Sequence, residues 1–319
     1  MRRLSSHPTP GLVRVMVGGF MIAAAATLVP TAPARADETK YERTTIGVRG
    51  HLVPVAYEGP ADSTFTHALA TPFTSADQLR AMRLPPGLAT SDTQARKTAF
   101  LNTVLPLLHE VNTRISEDRA ELLKLQQVMQ RGCNLRSEER SWLEDVALDY
   151  RGSPENIGDL LARVDVLPLS VAAAQAAIES AWGTSRFARE GNALFGERTY
   201  DSSIPGIKVP GRKAFRVRSF DTLYDSVVQY ATNLNTHQAY AQFRAKRANM
   251  RAQGLVLDGQ ALASTLNLYS EERAKYTSTL VTIIRHNAFH HLDAMTVAAN
   301  DLAAIRTVAT GAVGAAQAN

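Results

Sequence analysis

The sequence predicts a mostly α-helical protein with one small β-hairpin. Apolar residues recur at three- and four-residue steps through residues 100–115 and again through residues 220–234, which is the spacing of one helix face. Between these regions, residues 204–209 and 214–218 flank the turn signal Pro210-Gly211. Apolar and basic residues alternate in the second of these segments, as they do in a strand. Helices therefore dominate, and the hairpin interrupts them once.

The chain divides by composition into five consecutive parts. Residues 37–94 contain five prolines among scattered Gly, Ser and Thr, which indicates a weakly ordered linker. The predicted order is a signal peptide over residues 1–36, the linker over 37–94, a helical module over 95–152, a larger domain over 153–295 and an Ala-rich tail over 296–319. Pro106 is expected to kink or divide the first helix of the helical module, because proline lacks the amide hydrogen.

The first 36 residues have the features of an export signal. Three Arg residues precede an apolar run over residues 15–29, and Ala34-Arg35-Ala36 follows as a cleavage motif. The run is shorter than the ~20 residues that a spanning helix needs, so no stable membrane insertion is expected. We predict secretion across the inner membrane and, where the host has an outer membrane, a periplasmic protein that begins near Asp37. An uncleaved membrane anchor is the alternative.

Charge and cysteine content exclude several functional classes. Residues 1–36 hold four of the 35 basic residues and no acidic residue, which leaves 31 basic against 30 acidic residues in the rest of the chain. This near-neutral balance gives no support to nucleic-acid binding. Cys133 is the only cysteine, so an internal disulfide and a CxxC metal site are impossible. No Gly-rich nucleotide loop or serine-nucleophile elbow occurs, so no cofactor is expected. The sequence does not indicate an oligomeric state.

The chemistry is predicted in one helix of small residues that contains a single carboxylate. We expect this helix over residues 170–182, with Gly183 as its stop. Gln175 lies one turn before Glu179, and Trp182 lies three residues after it, so the three share one face. The helix dipole disfavours a negative charge in the last turn and a neighbouring Trp removes water. Both effects raise a carboxyl pKa, as a general acid at neutral pH requires. A solvated surface charge is the alternative interpretation of Glu179.

A longer motif surrounds this glutamate. The pattern E-S-x-W-G-x-S…N-x-L-F-G runs from Glu179 to Gly196 and resembles the glucosaminidase domain family, glycoside hydrolase family 73. Residues 163–168, 233–244 and 269–271 are closer still to the Bax-like branch of that family, which is bacterial and distinct from the apoptotic protein of that name. Residues 137–143 of the helical module are also similar to that branch.

The resemblance implies a fold, an activity and a set of site residues. The fold is lysozyme-like, a mostly helical domain with a small β-hairpin lobe beside a cleft. The activity is that of an endo-β-N-acetylglucosaminidase that cleaves peptidoglycan glycan strands by general acid catalysis. Glu179 falls on the family's catalytic acid and Tyr240 on its cleft tyrosine, whereas Tyr230 is expected in the core. The expected substrate-binding residues are Gln175, Trp182, Asn192, Leu194, Phe195 and Gly196.

The sequence leaves the second catalytic group open. Glycoside hydrolysis usually needs a second carboxylate that activates water or attacks the sugar, but the predicted strands of the hairpin contain no Glu. Asp201, in the loop before the hairpin, is the first choice as the second catalytic residue, and Glu197 is the second choice. Asp221 and Asp225 fit the start of the following helix better as capping residues. The N-acetyl group of the substrate is a further alternative.

Two other functions are compatible with the same residues. A lytic transglycosylase also uses a Glu-Ser pair on a lysozyme-like fold, and it forms an anhydro-sugar without water. A cell-wall binding protein without activity is the third reading, and the joint presence of Gln175, Glu179, Trp182 and Tyr240 argues against it.

Two clusters outside the motif have a plain and a functional interpretation. Basic residues crowd the hairpin and predict either a solvated face or contact with acidic stem peptides. They are Lys208, Arg212, Lys213, Arg216 and Arg218. His286 and His290 form an i, i+4 pair with His291 beside them and could hold zinc. Neither an H-E-x-x-H motif nor an acidic third ligand accompanies them, so no metal site is expected.

Overall fold

The computed structural model describes residues 76–294, which form a helical core and a small three-stranded sheet beside it. The α-helices are α1 (Ala76–Ala81), α2 (Thr93–Gln130), α3 (Ser137–Asp149), α4 (Ile157–Arg163), α5 (Leu169–Glu179), α6 (Arg186–Gly191), α7 (Leu223–Thr236), α8 (Ala241–Ala252), α9 (Gly259–Ala263) and α10 (Ala274–His286). The strands are β1 (Arg198–Thr199), β2 (Gly206–Val209) and β3 (Arg212–Arg218), and a 3₁₀ helix covers Gln238–Tyr240. The predicted fold class, a lysozyme-like helical domain with a small β lobe, is confirmed. The predicted signal peptide, most of the linker and the Ala-rich tail lie outside the described residues.

Helix α2 is one continuous helix of 38 residues. The side chain of Asp92 accepts a hydrogen bond from the Ala95 amide at 2.9 Å and caps the start of the helix. Pro106 does not divide the helix. The apolar face is buried on both sides of Pro106, so packing offsets the hydrogen bond that proline cannot make. No helix in the described part of the chain is both long enough and apolar enough to cross a membrane.

Residues 76–92 are not a linker, and the prediction is corrected here. Helix α1 and the turns after it place Leu79 and Leu88 in the hydrophobic core. Of the residues that suggested a linker, Pro86 and Gly87 are part of a turn, in which the amides of Thr90 and Ser91 both donate to the carbonyl of Gly87 at 3.0 Å. The composition of a tight turn and that of a linker are the same, so the sequence alone did not separate them.

The β lobe contains three antiparallel strands in the order β1, β3, β2. Thr199 pairs with Arg216 on one side of β3, and Ile207 pairs with Val217 on the other. The sequence predicted β2 and β3 but missed β1, which has two residues and no periodicity to read. Phe187 and Val217 form a small separate core beneath this lobe.

The helices of residues 95–152 share one hydrophobic core with those that follow. Buried apolar side chains from Leu79 to Leu292 form a single cluster. Helix α5 runs through it, packed against α2, α9 and α10, and its residues 169–177 are all buried. The side chain of Asn112 on α2 donates to the carbonyl of Leu167 at 2.8 Å and accepts from its amide at 3.0 Å. Small alanines in α5 allow this close approach of neighbouring helices.

A buried carboxylate ties α2, α8 and the segment before α5 together. Asp165 is 1% exposed, and Arg251 donates to its Oδ1 at 2.9 Å. The guanidinium groups of Arg119 and Arg247 lie 3.7 and 3.8 Å from its Oδ2. Burial alone raises a carboxyl pKa, but the charges of Arg247, Arg119 and Arg251 together hold the pKa of Asp165 below its ordinary value.

Asp293 is a second buried carboxylate in a structural position. Its two oxygens accept hydrogen bonds from the Ser170 amide at 3.0 Å, the Ser170 hydroxyl at 2.8 Å and the Gly259 amide at 2.9 Å. These donors lie in the first turns of α5 and α9, where backbone amides have no partner within the helix. Asp293 therefore fixes the start of α5 to the C-terminal end of the described chain.

Candidate active site

Glu179 is the last residue of α5, and the chain turns sharply after it. Ser180 closes the helix, because its hydroxyl donates to the Ala176 carbonyl at 2.6 Å and accepts from the Gly183 amide at 2.9 Å. Ala181 and Trp182 then adopt left-handed backbone angles, with φ of +51° and +56°. The helix therefore ends three residues earlier than the sequence predicted. Such conformations are unfavourable for residues with side chains and concentrate at functional sites.

The carboxyl group of Glu179 is enclosed although its side chain as a whole is only half-buried. Both carboxyl oxygens are shielded from solvent, and neither makes a hydrogen bond of standard geometry. Burial raises the pKa of Glu179 to about 8, and the Tyr276 hydroxyl and the Arg198 guanidinium offset part of that rise. The group is therefore protonated at neutral pH, which is the state that a general acid needs.

Four buried tyrosines surround this carboxyl, and we call them the tyrosine shell: Tyr230, Tyr240, Tyr269 and Tyr276. Burial raises the pKa of each hydroxyl well above its ordinary value, and negative charge on Glu179 adds to the rise in all four. Glu179 is thus within electrostatic reach of every member. The shell excludes water and supplies aromatic walls, which explains why the carboxyl stays protonated.

Gln175 lies behind the tyrosine shell. It is fully buried, and its carbonyl oxygen accepts a hydrogen bond from the Tyr230 hydroxyl at 2.7 Å. Its amide donates to the Tyr276 hydroxyl at 2.9 Å. Gln175 thus shares a helix face with Glu179 and holds two tyrosines of the shell, and its predicted contact with substrate stays a prediction. Tyr230 is core, as expected.

Gly196 touches the Glu179 carboxyl. A Cβ atom built on Gly196 lies 3.0 Å from Oε2 of Glu179, and the residue has a φ of +64° that side chains rarely adopt. Both facts require glycine here. Leu194 and Phe195, which precede it, are buried, and Phe195 stacks on Tyr230 with ring centroids 3.8 Å apart. The motif therefore forms the floor under the carboxyl, with Gly196 as the member in direct contact and the other two as packing.

Asn192 and Trp182 fix the segments on either side of the carboxyl. Asn192 ends α6 in a left-handed conformation, and its amide donates to the Phe220 and Asp221 carbonyls at 2.9 and 3.1 Å. The ring of Trp182 packs between Phe100 and Phe289, with centroids 5.8 and 6.2 Å away. Their side-chain contacts are with the protein itself. Both residues, predicted to bind substrate, hold the loops that shape the site.

Two comparisons with known proteins bear on this arrangement. The sequence profile of the glucosaminidase family, described as mannosyl-glycoprotein endo-beta-N-acetylglucosaminidase, matches residues 155–289. Protein bax of Escherichia coli (strain K12) is 36% identical over 201 residues, which cover 60% of this chain and 70% of that protein. The chain belongs to the Bax-like glucosaminidase family. Its family is one of peptidoglycan-acting hydrolases, whose substrates are glycans. No solved structure matches the chain significantly.

Tyr240, which the resemblance makes the cleft tyrosine, is fully buried in this structure. Its hydroxyl is enclosed and makes no hydrogen bond of standard geometry. Burial raises its pKa most, and the charges of Glu197 and Glu179 both add to the rise. Tyr240 is thus within electrostatic reach of two buried carboxyl groups.

The two choices for the second carboxylate have opposite surroundings. Asp201 lies on the loop between β1 and β2, where its Oδ1 accepts hydrogen bonds from the Ser203 amide at 2.8 Å and hydroxyl at 2.7 Å. The hydrogen bonds from Ser203 lower the pKa of Asp201. Glu197 directly follows Gly196, and its Oε1 is enclosed without a hydrogen-bond partner. Burial raises the pKa of Glu197 to about 7, and the charge of Arg218 offsets part of that rise.

The sequence missed Tyr269, Tyr276 and Arg198 as site residues. Arg198 is nearly buried, and its guanidinium lies 4.4 Å from the ring centroid of Phe215 and 2.8 Å from the carboxylate of Glu271. It is the cation that faces Glu179. The motif around Tyr269 did appear in the family resemblance, but no spacing rule connects Tyr276 to Glu179. A helix-packing contact between α10 and α5 brings them together.

The remaining clusters have structural partners. Asp225 caps α7, because its carboxylate accepts from the Thr222 amide at 3.2 Å, as the sequence predicted. Arg216 donates to the carbonyls of Asp201 and Ile204 at 2.9 and 2.8 Å, so this basic residue of the hairpin is used in folding the lobe. Within residues 76–294, no group of three or more His, Cys, Asp or Glu side chains is arranged to hold a metal ion.

Proposed function

We propose that the protein is an exported endo-β-N-acetylglucosaminidase that hydrolyses peptidoglycan glycan strands, with Glu179 as its general acid and without a cofactor. The observation that carries the proposal is the enclosed Glu179 carboxyl, protonated at neutral pH at the end of α5. A buried carboxylic acid against aromatic walls is the device by which glycosidases keep an acid protonated near pH 7. Family membership supports the glycan substrate.

In the proposed reaction, the Glu179 hydroxyl gives its proton to the glycosidic oxygen as the bond from that oxygen to the anomeric carbon breaks. The leaving sugar departs with a new hydroxyl group, and Glu179 becomes a carboxylate. A water molecule then adds to the anomeric carbon and gives a proton to the group that activates it, and proton exchange with solvent afterwards restores the Glu179 acid. Arg198 and the Tyr276 hydroxyl, which both favour the charged form of Glu179, stabilise the carboxylate during the reaction.

The group that activates this water remains a prediction. Asp201 is ionised and lies on a loop, so it could approach a bound glycan as a catalytic loop does on closure. Glu197 is nearer to the shell through Tyr240, but burial favours its protonated form, which cannot act as a base. We therefore keep Asp201 as the first choice.

The experiment that tests the proposed function is mass spectrometry of the products released from purified sacculi. Reducing N-acetylglucosamine ends are expected from the wild-type protein, and none from Glu179→Gln. Anhydromuramic ends indicate a lytic transglycosylase, a reading favoured by the two hydrogen bonds with which Ser203 already engages the Asp201 carboxylate. Sacculus binding without fragments indicates a non-catalytic cell-wall binding protein.

The second carboxylate is tested by two matched variants. Asp201→Asn is expected to cut turnover much more than sacculus binding, though less than Glu179→Gln does, because Asn cannot take a proton from water. Glu197→Gln is the comparison. If Glu197→Gln loses turnover while Asp201→Asn retains it, Glu197 is the second catalytic group. If both variants hydrolyse glycan normally, the N-acetyl group of the substrate is the better choice.

Export is tested on the mature protein. N-terminal sequencing is expected to find a start near Asp37, and cell fractionation is expected to place the protein in the periplasm of a host with an outer membrane. Membrane-bound protein that retains Met1 or Arg2 contradicts the cleaved signal and supports an anchor.

A further inference from the structure

A chain of buried hydrogen bonds leads to the catalytic carboxyl from behind. The Tyr230 hydroxyl donates to the Gln175 carbonyl oxygen at 2.7 Å, and the Gln175 amide donates to the Tyr276 hydroxyl at 2.9 Å. All three side chains are fully buried. Gln175 lies one turn before Glu179 on the same face of α5, so a hydroxyl bound to Gln175 lies close to the Glu179 carboxyl.

The direction of these hydrogen bonds determines where the Tyr276 hydroxyl can donate its hydrogen. The Gln175 carbonyl oxygen is used by Tyr230, so Gln175 meets Tyr276 with its amide and acts as the donor. A phenol has a single hydrogen to donate. Tyr276 accepts from Gln175, so its own hydrogen remains available. The Glu179 oxygens beside it are enclosed acceptors without a partner of standard geometry, and the Tyr276 hydroxyl already acts on them.

We propose that Tyr276 is the positioning residue for the acid proton of Glu179. Its hydroxyl, oriented by Gln175, donates to one carboxyl oxygen, so the acid proton occupies the other oxygen, from which it is delivered to substrate. After delivery the same hydroxyl stabilises the carboxylate. The contact is loose in the free protein, as active-site hydrogen bonds often are before substrate binds. This inference rests on the proposed function of Glu179 as the acid.

The groups that face Glu179 determine what the titration of this carboxyl will report. Besides Tyr276 on α10, they are Arg198 on β1, Tyr230 on α7, Tyr240 at the end of the 3₁₀ helix and Tyr269 before α10. Among the described residues, Arg198 is the cation that acts on Glu179, and it is unchanged in a Tyr276 variant. A change in titration on removal of the Tyr276 hydroxyl therefore reports the lost donor.

The test compares Tyr276→Phe with Tyr269→Phe. Both variants remove one buried hydroxyl from the tyrosine shell, and the two rings stack with centroids 5.5 Å apart. The Tyr269 hydroxyl, however, donates to the Phe195 carbonyl at 2.9 Å and not toward Glu179. The readout is a ¹³C NMR titration of glutamate carboxyls, in which the Glu179 signal is identified by its absence in Glu179→Gln.

We expect Tyr276→Phe to raise the titration midpoint of Glu179 by about one pH unit, because loss of a hydrogen bond to the charged form favours the protonated form. The alkaline limb of the pH–rate profile should move up by the same amount, since a general acid is inactive once deprotonated. The rate at the optimum should fall about tenfold or more, because the carboxylate that forms is less stabilised. Tyr269→Phe should move neither the midpoint nor the limb.

Three outcomes overturn the inference. They are a Glu179 midpoint unmoved in Tyr276→Phe, a midpoint moved equally in Tyr269→Phe, and a loss of rate that is uniform across pH. If Tyr276→Phe does not fold, Gln175→Met removes the group that orients the Tyr276 hydroxyl and should shift the midpoint upward by a smaller amount. If the wild-type protein releases no glycan fragment and Tyr276→Phe still raises the titration midpoint of Glu179, the proposed function is contradicted. The contact between Tyr276 and Glu179 is then supported independently of that function.

Discussion

The molecule buries two carboxyl groups in opposite ways. Asp165 is surrounded by Arg119, Arg247 and Arg251, which keep it ionised at 1% exposure. Glu179, at the end of the next helix, has four tyrosines and one cation within electrostatic reach in the part of the chain that the structure describes, and burial raises its pKa to about 8. Burial by itself raises the pKa of both groups. The pKa of Asp165 is nevertheless lowered and that of Glu179 raised, because three arginines act on Asp165 and one acts on Glu179.

This difference separates a structural acid from a functional one. A buried carboxylate that is fully paired holds elements together, and Asp165 joins α2, α8 and the segment before α5. A buried carboxyl without a matched counter-charge adds nothing to folding in its ionised form, but it retains a proton that it can give away. Perturbed pKa values alone do not identify active sites, whereas the partners that cause the perturbation do.

The largest expected effect is on catalysis, and it concerns Glu179. Glu179→Gln keeps the volume and polarity of the side chain but has no acid proton, so glycan release should fall by ~10²–10⁴-fold. The circular dichroism spectrum should be unchanged, because Asp165 and its arginines still hold the fold. Muropeptide release from sacculi measures the rate, and a folded Glu179→Gln protein with wild-type activity would refute the assignment.

The second effect is on stability, and it concerns Asp165. Asp165→Asn leaves three guanidinium groups without a counter-charge, which should lower the free energy of unfolding by about 3–5 kcal/mol. Thermal or urea unfolding monitors the change. Asp159→Asn is the control, since it breaks the Arg163 pair at 2.6 Å but involves a carboxylate that is 41% exposed, and it should cost at most about 1 kcal/mol. Equal losses in the two variants contradict the comparison.

A third prediction concerns the glycine beneath Glu179. Gly196→Ala places a methyl group 3.0 Å from Oε2 of Glu179, so the carboxyl must shift slightly and activity should fall by up to about tenfold, because catalysis is sensitive to the position of the acid. Gly132→Ala is the matched control, because Gly132 has a similar φ of +73° but no atom within 4 Å of the added Cβ. Both variants carry the same backbone strain. Similar activity losses would show that strain, and not the carboxyl, is responsible.

The smallest expected effect concerns the pH dependence of the free energy of unfolding, to which Glu179 and Asp165 contribute with opposite signs. The folded pKa of Glu179 lies above the ordinary value of 4.5, so between about pH 4.5 and 8 the folded state holds a proton that the unfolded state has lost. Stability from this group therefore falls as pH rises through that window. Relative to wild type, Glu179→Gln should therefore gain stability as the pH rises from 4 to 9.

Asp165 behaves in the reverse sense. Its folded pKa lies below the ordinary value of 3.8, so its contribution is complete above that value and is lost as pH falls through the lowered pKa. Urea unfolding of wild type, Glu179→Gln and Asp165→Asn over a pH series measures both signs. A Glu179→Gln difference that does not change with pH would mean that Glu179 titrates normally.

Local sequence patterns predicted Glu179 as the candidate acid and the β-hairpin. The surroundings of Glu179 depend on tertiary packing, which such patterns do not encode. Glu179 and Gly196 lie in one contiguous motif, so the sequence predicted both. Gln175 was assigned to the correct helix face, but periodicity does not say what covers a face, and two tyrosines cover this one. Tyr276 lies about a hundred residues along the chain, and it reaches Glu179 through helix packing, which no spacing rule encodes.

The main hydrophobic core, which the helices of residues 95–152 share with those that follow, limits how the catalytic unit can be moved between proteins. The family profile matches residues 155–289, a segment that does not include Phe100 or Asn112. Phe100 packs on Trp182, and Asn112 hydrogen-bonds Leu167. The segment also does not include Asp293, which accepts hydrogen bonds from Ser170 at the start of α5. If residues 155–289 were expressed alone, the apolar surface that α2 covers would be exposed to solvent. The helix that ends at Glu179 would also lose its hydrogen bonds to Asp293. The smallest transplantable unit is therefore larger than the segment that the family profile matches, because it must include α2 and Asp293.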